Sequence, residues 1–232
     1  MNEIKDNFYS VSKLKVGKDK PKGISKNLKV QLQERSEANF VEPDNSLSKT
    51  TTTTNYTLKV ILIEFNDVHG DAKYTKADFE NMLSGSNYFG ISPDGETVYG
   101  SMDYYYGRMS SDGISIAATV LNNTVGGYPV WLRLSHNKIH YDTTSTFWSV
   151  AESAANAAGL NISTGSNTKL VYIYSGNFYT GYLNPAAQPW NNRYRMCEKW
   201  AGRGPYYNQE TDGPITFSHI GIHCHEFGHL LA

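Results

Sequence analysis

The chain has 232 residues, 39% hydrophobic and 19% charged, with a formal net charge of −1. This balance is ordinary for a globular protein and gives no electrostatic footprint for nucleic acid or an anionic membrane. No apolar run approaches the roughly 18 residues of a membrane span, and the first ten residues contain no apolar signal-peptide core.

Residues 1 to about 55 are polar and Lys-rich and end in the run Thr50 to Thr54, which reads as a linker. Within them only Asn27 to Gln33 alternates enough for a short strand. The stretch is expected to be a propeptide tail or a plain extension, and residues 56–232 a domain of their own.

Leu58 to Phe65 is an apolar, β-branched run bounded by polar turns, the pattern of a central buried strand. Asn66 to Asp71 is a turn. Thr75 caps a helix to Ser84, with Asp78 three positions in and Phe79, Met82 and Leu83 on its apolar face. Ser101 to Met109 reads as a second helix. Gly113 to Leu121 and Pro129 to Leu134 read as strands, the latter with Val130, Leu132 and Leu134 on one side and Trp131 on the other.

Thr143 to Ala158 reads as a long helix. Its face of Phe147, Val150, Ala151, Ala154, Ala155 and Ala158 suits close packing behind a sheet, parallel or nearly so to the last helix. Lys169 to Ser175 is a strong strand. Gly176 to Gln209 is expected to be mostly irregular and to shape a substrate cleft.

The chemistry concentrates in the last fifteen residues, which contain His225, Glu226, Phe227, Gly228 and His229 in the pattern H-E-x-x-H. On a helix, residues four apart share a face, so His225 and His229 present two imidazoles to one point. Two neutral imidazoles suit Zn²⁺. Glu226 is placed to reach a water at that metal as general base.

Ile220, Cys224, Phe227 and Leu231 fall on the opposite, apolar face, and Ser218 or Thr216 could cap the helix. Gly228 costs about 1 kcal/mol against Ala in a helix, which a close-packed neighbour would explain. His223 lies well round from the ligand face and reads as a structural or surface histidine. His219 is about two turns before His225, and His69, His136 and His140 carry no partner spacing. Cys197 and Cys224 could form a disulfide or remain two buried thiols.

Several segments resemble the M6 peptidases, the immune inhibitor A family. These are V-I-L-I-E-F-N-D at Val60 to Asp67, G-S-M-D-Y-Y-Y-G-R-M-S at Gly100 to Ser110, and V-Y-I-Y-S-G at Val171 to Gly176. P-W-N-N-R-Y at Pro189 to Tyr194 and H-C-H-E-F-G-H-L-L-A at His223 to Ala232 complete the set. The chain has Ala232 where the family has Gly, and Asn191–Asn192 where it has Pro-His.

The resemblance implies an α+β zincin fold: a twisted mixed sheet, a backing helix and an active-site helix. It also implies a secreted or cell-surface zinc endopeptidase made with a propeptide, with His225 and His229 as zinc ligands and Glu226 as catalytic base. The third ligand is expected beyond Ala232, and residues 1–232 alone are expected to be inactive. Zn²⁺ is the expected cofactor, with structural Ca²⁺ admitted. Protein or peptide substrates and a monomer complete the expectation. The rival readings are a degenerate binding module that kept the helix and a metallohydrolase acting on something other than peptides.

Overall fold

The structure is a computed structural model that describes residues 52–111, 113–178, 181–200, 216–217 and 220–231. The chain divides into two units, Met1–Thr50 and Thr51–Ala232, with the boundary inside the threonine run. The strand expected at Asn27 to Gln33 lies outside the described residues.

The second unit mixes α and β around one sheet. Its centre is β1 (Thr54–Glu64), whose residues from Val60 onward are all buried. On one side β1 runs parallel to β4 (Ile114–Val120). On the other it runs parallel to β8 (Thr168–Asn177), which is parallel in turn to β10 (Arg193–Trp200). The short strands β9 (Ala186–Gln188) and β11 (Thr216–Phe217) pair antiparallel with β10, so the sheet is mixed. Two small hairpins lie apart, β2 (Phe89–Ile91) with β3 (Thr97–Tyr99) and β5 (Thr124–Val125) with β6 (Tyr128–Pro129).

Five α-helices are described: α1 (Lys76–Ser84), α2 (Met102–Met109), α3 (Lys138–Thr143), α4 (Phe147–Ala157) and α5 (Ile220–Gly228). Both of the first two begin where the capping residues put them. Thr75 and Asp78 form a reciprocal capping box, and the Ser101 hydroxyl accepts from Tyr104 N–H.

Three expectations are corrected. The single strand at Pro129 to Leu134 is broken, because Pro129 ends the β5–β6 hairpin and only β7 (Leu132–Arg133) joins β1. The cause is Asn122. Its buried amide accepts from Leu62 N–H at 2.7 Å and donates to the carbonyls of Leu62 and Val130, each at 3.0 Å. The side chain thus bridges β1 between the end of β4 and the start of β7, and Val130 is spent on that bridge, half exposed at 52%.

The helix at Thr143 to Ala158 starts four residues late and is preceded by a separate one, α3. Thr144 Oγ bonds the His140 carbonyl and meets the hydroxyl of Thr146; such local bonds compete with helix continuation. Asp67, from the loop after β1, caps α3 by accepting from Lys138 N–H at 2.7 Å.

The third correction is β10, an eight-residue strand inside the segment read as irregular. Arg193 and Arg195 alternate with Tyr194 and Met196, and Arg193, Arg195 and Glu198 are all buried.

Alternation along the strands separates the two faces. Tyr172 and Tyr174 of β8 meet Phe147 of α4, and the guanidiniums of Arg193 and Arg195 lie over the Trp148 ring at 4.7 and 4.8 Å. Phe147, Ala151 and Ala155 are buried there, so α4 does cover the sheet, though Ala158 is exposed. Tyr194 of β10 pairs with Val171, on the opposite face, and there it meets α5. The two cysteines are buried and not joined in a disulfide, Cys197 lying beside Tyr174 of β8 and Cys224 on α5, so of the two alternatives the buried thiols stand. Among the described residues no helix is long and apolar enough to cross a membrane.

Candidate metal centre

The helix α5 is wedged between α2 and the β9–β10 side of the sheet. Phe227, fully buried, fixes it with edge-to-face contacts to Tyr56 of β1 and Tyr106 of α2, ring centroids 5.5 and 5.1 Å away. Cys224, Phe227 and Leu230 are buried, and Ile220 and Leu231 pack partly against the core. The apolar stripe therefore stands as expected, with Leu230 more deeply buried than Leu231. Ser218 and the Thr216 side chain, the expected caps, lie outside what is described.

His225 and His229 are exposed on the other side. Their Nε2 atoms are 3.3 Å apart and their rings stand at 88° to each other. Two nitrogens each about 2.0–2.1 Å from one tetrahedral zinc lie about 3.3–3.4 Å apart. The pair therefore fits two positions of a tetrahedral metal. The helix ends at Gly228 and His229 opens a tighter turn, with Leu230 N–H donating to Phe227 at 2.8 Å and Leu231 N–H to Gly228 at 3.1 Å.

Glu226 lies between the two imidazoles in sequence but points inward, 6% exposed. Burial pushes its carboxyl above the usual carboxylate range. The neighbouring His225 and His229, the Ala187 N–H of β9 and, at longer range, Arg195 pull the other way. The carboxyl thus faces the short strand at the edge of the sheet.

Of the two readings of His223, the structural one stands. It is fully buried and shares a 3.0 Å hydrogen bond with the Tyr194 hydroxyl through Nδ1. Burial lowers it to about 3, so it stays neutral. His69 lies beside Glu64, its Nδ1 3.5 Å from the carboxylate, and His136 stacks on His140 with centroids 4.2 Å apart. None of these joins His225 and His229, and among the described residues no group of three or more His, Cys, Asp or Glu is arranged to hold a metal. His219 lies outside the described residues.

Two neighbours of the site were not singled out in the sequence. Ala187, the backbone partner of Glu226, carries no side-chain signal at all. Tyr106 belongs to a segment read as a helix and as part of the resemblance, with no role given to the residue itself, yet its hydroxyl donates to the Cys224 carbonyl at 2.7 Å. At the opposite end of α5 from the imidazoles, Ile220 borders a cavity of about 340 Å³ lined by Tyr88, Tyr99, Tyr104, Tyr105 and Phe217.

No model of a known protein family matches the chain, and no curated protein matches it either.

Proposed function

We propose that the second unit is the zincin-type catalytic domain of a zinc-dependent endopeptidase. The observation that carries the reading is the 3.3 Å separation of His225 Nε2 and His229 Nε2 beside the buried Glu226. His225 and His229 would hold the metal, and the third ligand comes from outside the described residues. When bound, Zn²⁺ supplies a Lewis acid that polarises the scissile carbonyl and acidifies a water. Glu226 takes the proton from the attacking water and returns it to the departing amine as the C–N bond breaks.

Zinc content and casein hydrolysis, measured on the same preparations of residues 1–232 and of a chain extended past Ala232, test this. His225→Ala and His229→Ala should lose both metal and turnover. Glu226→Gln should keep zinc and lose turnover by about 10³-fold or more. Loss of zinc with Glu226→Gln would make Glu226 structural. Tight zinc without turnover in every extended chain would favour the binding-module alternative.

A further inference from the structure

Tyr106 is joined to α5 at the one place where the two imidazole-bearing turns meet. Its hydroxyl donates to the Cys224 carbonyl, one residue before His225. A Cβ at position 228, one residue before His229, would come 3.3 Å from that same hydroxyl. Its ring lies edge-on against Phe227, between the two histidines in sequence. The contact is therefore made to the backbone of residues 224–228, on the side of the helix away from the imidazoles.

In a regular helix the Cys224 carbonyl is the acceptor for the N–H of residue 228. A carbonyl has two lone pairs, so the phenol can occupy the second. Burial raises the Tyr106 phenol well above its ordinary value, so it remains a donor at any working pH. The helix stops at Gly228, and His229 sits in the tighter turn beyond it. Regular helix geometry alone does not set where that second imidazole stands relative to the first. The intervening residues 224–228 do, and Tyr106 is pressed against them.

We infer that Tyr106 is a positioning residue for the two-histidine site. Its hydroxyl fixes the spacing of His225 and His229, and position 228 is glycine so that the hydroxyl can reach the Cys224 carbonyl. The inference rests on the metal-site reading above and adds to it a group contributed by α2. Groups that orient metal ligands from behind are worth about 10- to 100-fold in metal affinity when removed.

The test is a cycle of Tyr106→Phe, Gly228→Ala and the double variant in the whole chain, with His225→Ala as the blank. Zn²⁺ affinity is read by competition with a chromophoric chelator, the Co²⁺ absorption spectrum reports ligand geometry, and thermal melting of the metal-free protein reports the packing. Tyr106→Phe should lower Zn²⁺ affinity about tenfold and shift the Co²⁺ bands while far-UV circular dichroism is unchanged. Gly228→Ala should lower the melting temperature in the parent, where the added methyl meets the hydroxyl, and cost clearly less in the Tyr106→Phe background.

A Tyr106→Phe variant with parental affinity and spectrum, while the parent binds zinc through His225, overturns this inference and leaves the metal site standing. Strictly additive effects of the two substitutions on melting also overturn it. A parent chain with no zinc binding that His225→Ala removes sinks the metal reading and the inference together.

Discussion

The two edges of the sheet use the same device for different ends. At the β4 edge, the outward N–H groups of Ile116, Ala118 and Val120 are taken by Asp103 Oδ1, Ser84 Oγ and Glu80 Oε1, at 2.6, 3.0 and 2.9 Å. Three side chains from α1 and α2 stand where a further strand would pair, and the edge is closed. At the far edge, the N–H of Ala187 in β9 faces the Glu226 carboxyl. Here the carboxyl is buried, raised above the usual carboxylate range, and set beside two exposed imidazoles. A carboxylate facing a strand N–H is a plug in the first case and, on the reading proposed above, a base in the second. Burial and the neighbouring imidazoles, rather than the hydrogen bond, make the difference.

The comparison breaks most visibly at the carboxylates. Glu226→Gln should cost about 10³-fold or more in turnover and little in stability, since the amide keeps the shape of the carboxyl. Glu80→Ala should do the reverse, leaving turnover alone and costing about 1–3 kcal/mol in urea unfolding, because the buried Val120 loses its hydrogen-bond partner. If Glu226→Gln destabilises as much as Glu80→Ala, both carboxylates are plugs and the far edge is not a site.

How much of this was readable in the sequence depends on whether the signal was local. The capping residues Thr75 and Ser101, the apolar run of β1 and the face of α5 are set by neighbours a few positions apart, and all were legible. The imidazole pair was legible for the same reason, because four residues of helix bring His225 and His229 together.

What was lost depended on partners far along the chain. Strand β10 looked irregular because Arg193, Arg195 and Glu198 read as solvent-facing. Their burial is supported by Trp148 and Glu152 of α4 and by backbone N–H groups from two other segments. Asn122, which breaks an expected strand, acts sixty residues away on Leu62. Tyr106 and Ala187 reach the site only through the fold.

Glu198 sharpens the contrast, since it is buried like Glu226 and accepts backbone N–H groups like the carboxylates of the closed edge. It is 1% exposed and accepts from Asp71 N–H at 2.6 Å and Gly176 N–H at 2.9 Å, tying the loop after β1 to the ends of β8 and β10. Burial pushes it up to about 7 from 4.5, against the two N–H groups and Lys199; the nearby Asp71 carboxylate adds to the rise. The folded state thus holds the proton more tightly than the unfolded chain. Its contribution to stability is fully present below about pH 4.5 and is lost as pH rises through about 7. Glu198→Gln, which cannot ionise, should flatten the stability profile across that window. An unchanged slope between pH 4.5 and 7 would show that Glu198 does not titrate there.

The smallest expected effect lies at the neutral member of the closed edge. Ser84 accepts from Ala118 N–H at 3.0 Å and donates to the Glu80 carbonyl at 3.3 Å, and Ala118 is only half-buried. Water can therefore replace the hydroxyl when it is removed, unlike at Val120. Neutral hydrogen bonds contribute about 1 kcal/mol, and alanine at the last position of α1 returns a few tenths through helix propensity. Ser84→Ala should thus lower the unfolding free energy by about 0.5–1 kcal/mol, with an unchanged dependence on urea concentration. The order of the two losses, Glu80→Ala above Ser84→Ala, is the point of the measurement. Equal losses would mean that the edge is held by covering the strand at all, and that the charge on its plugs adds nothing.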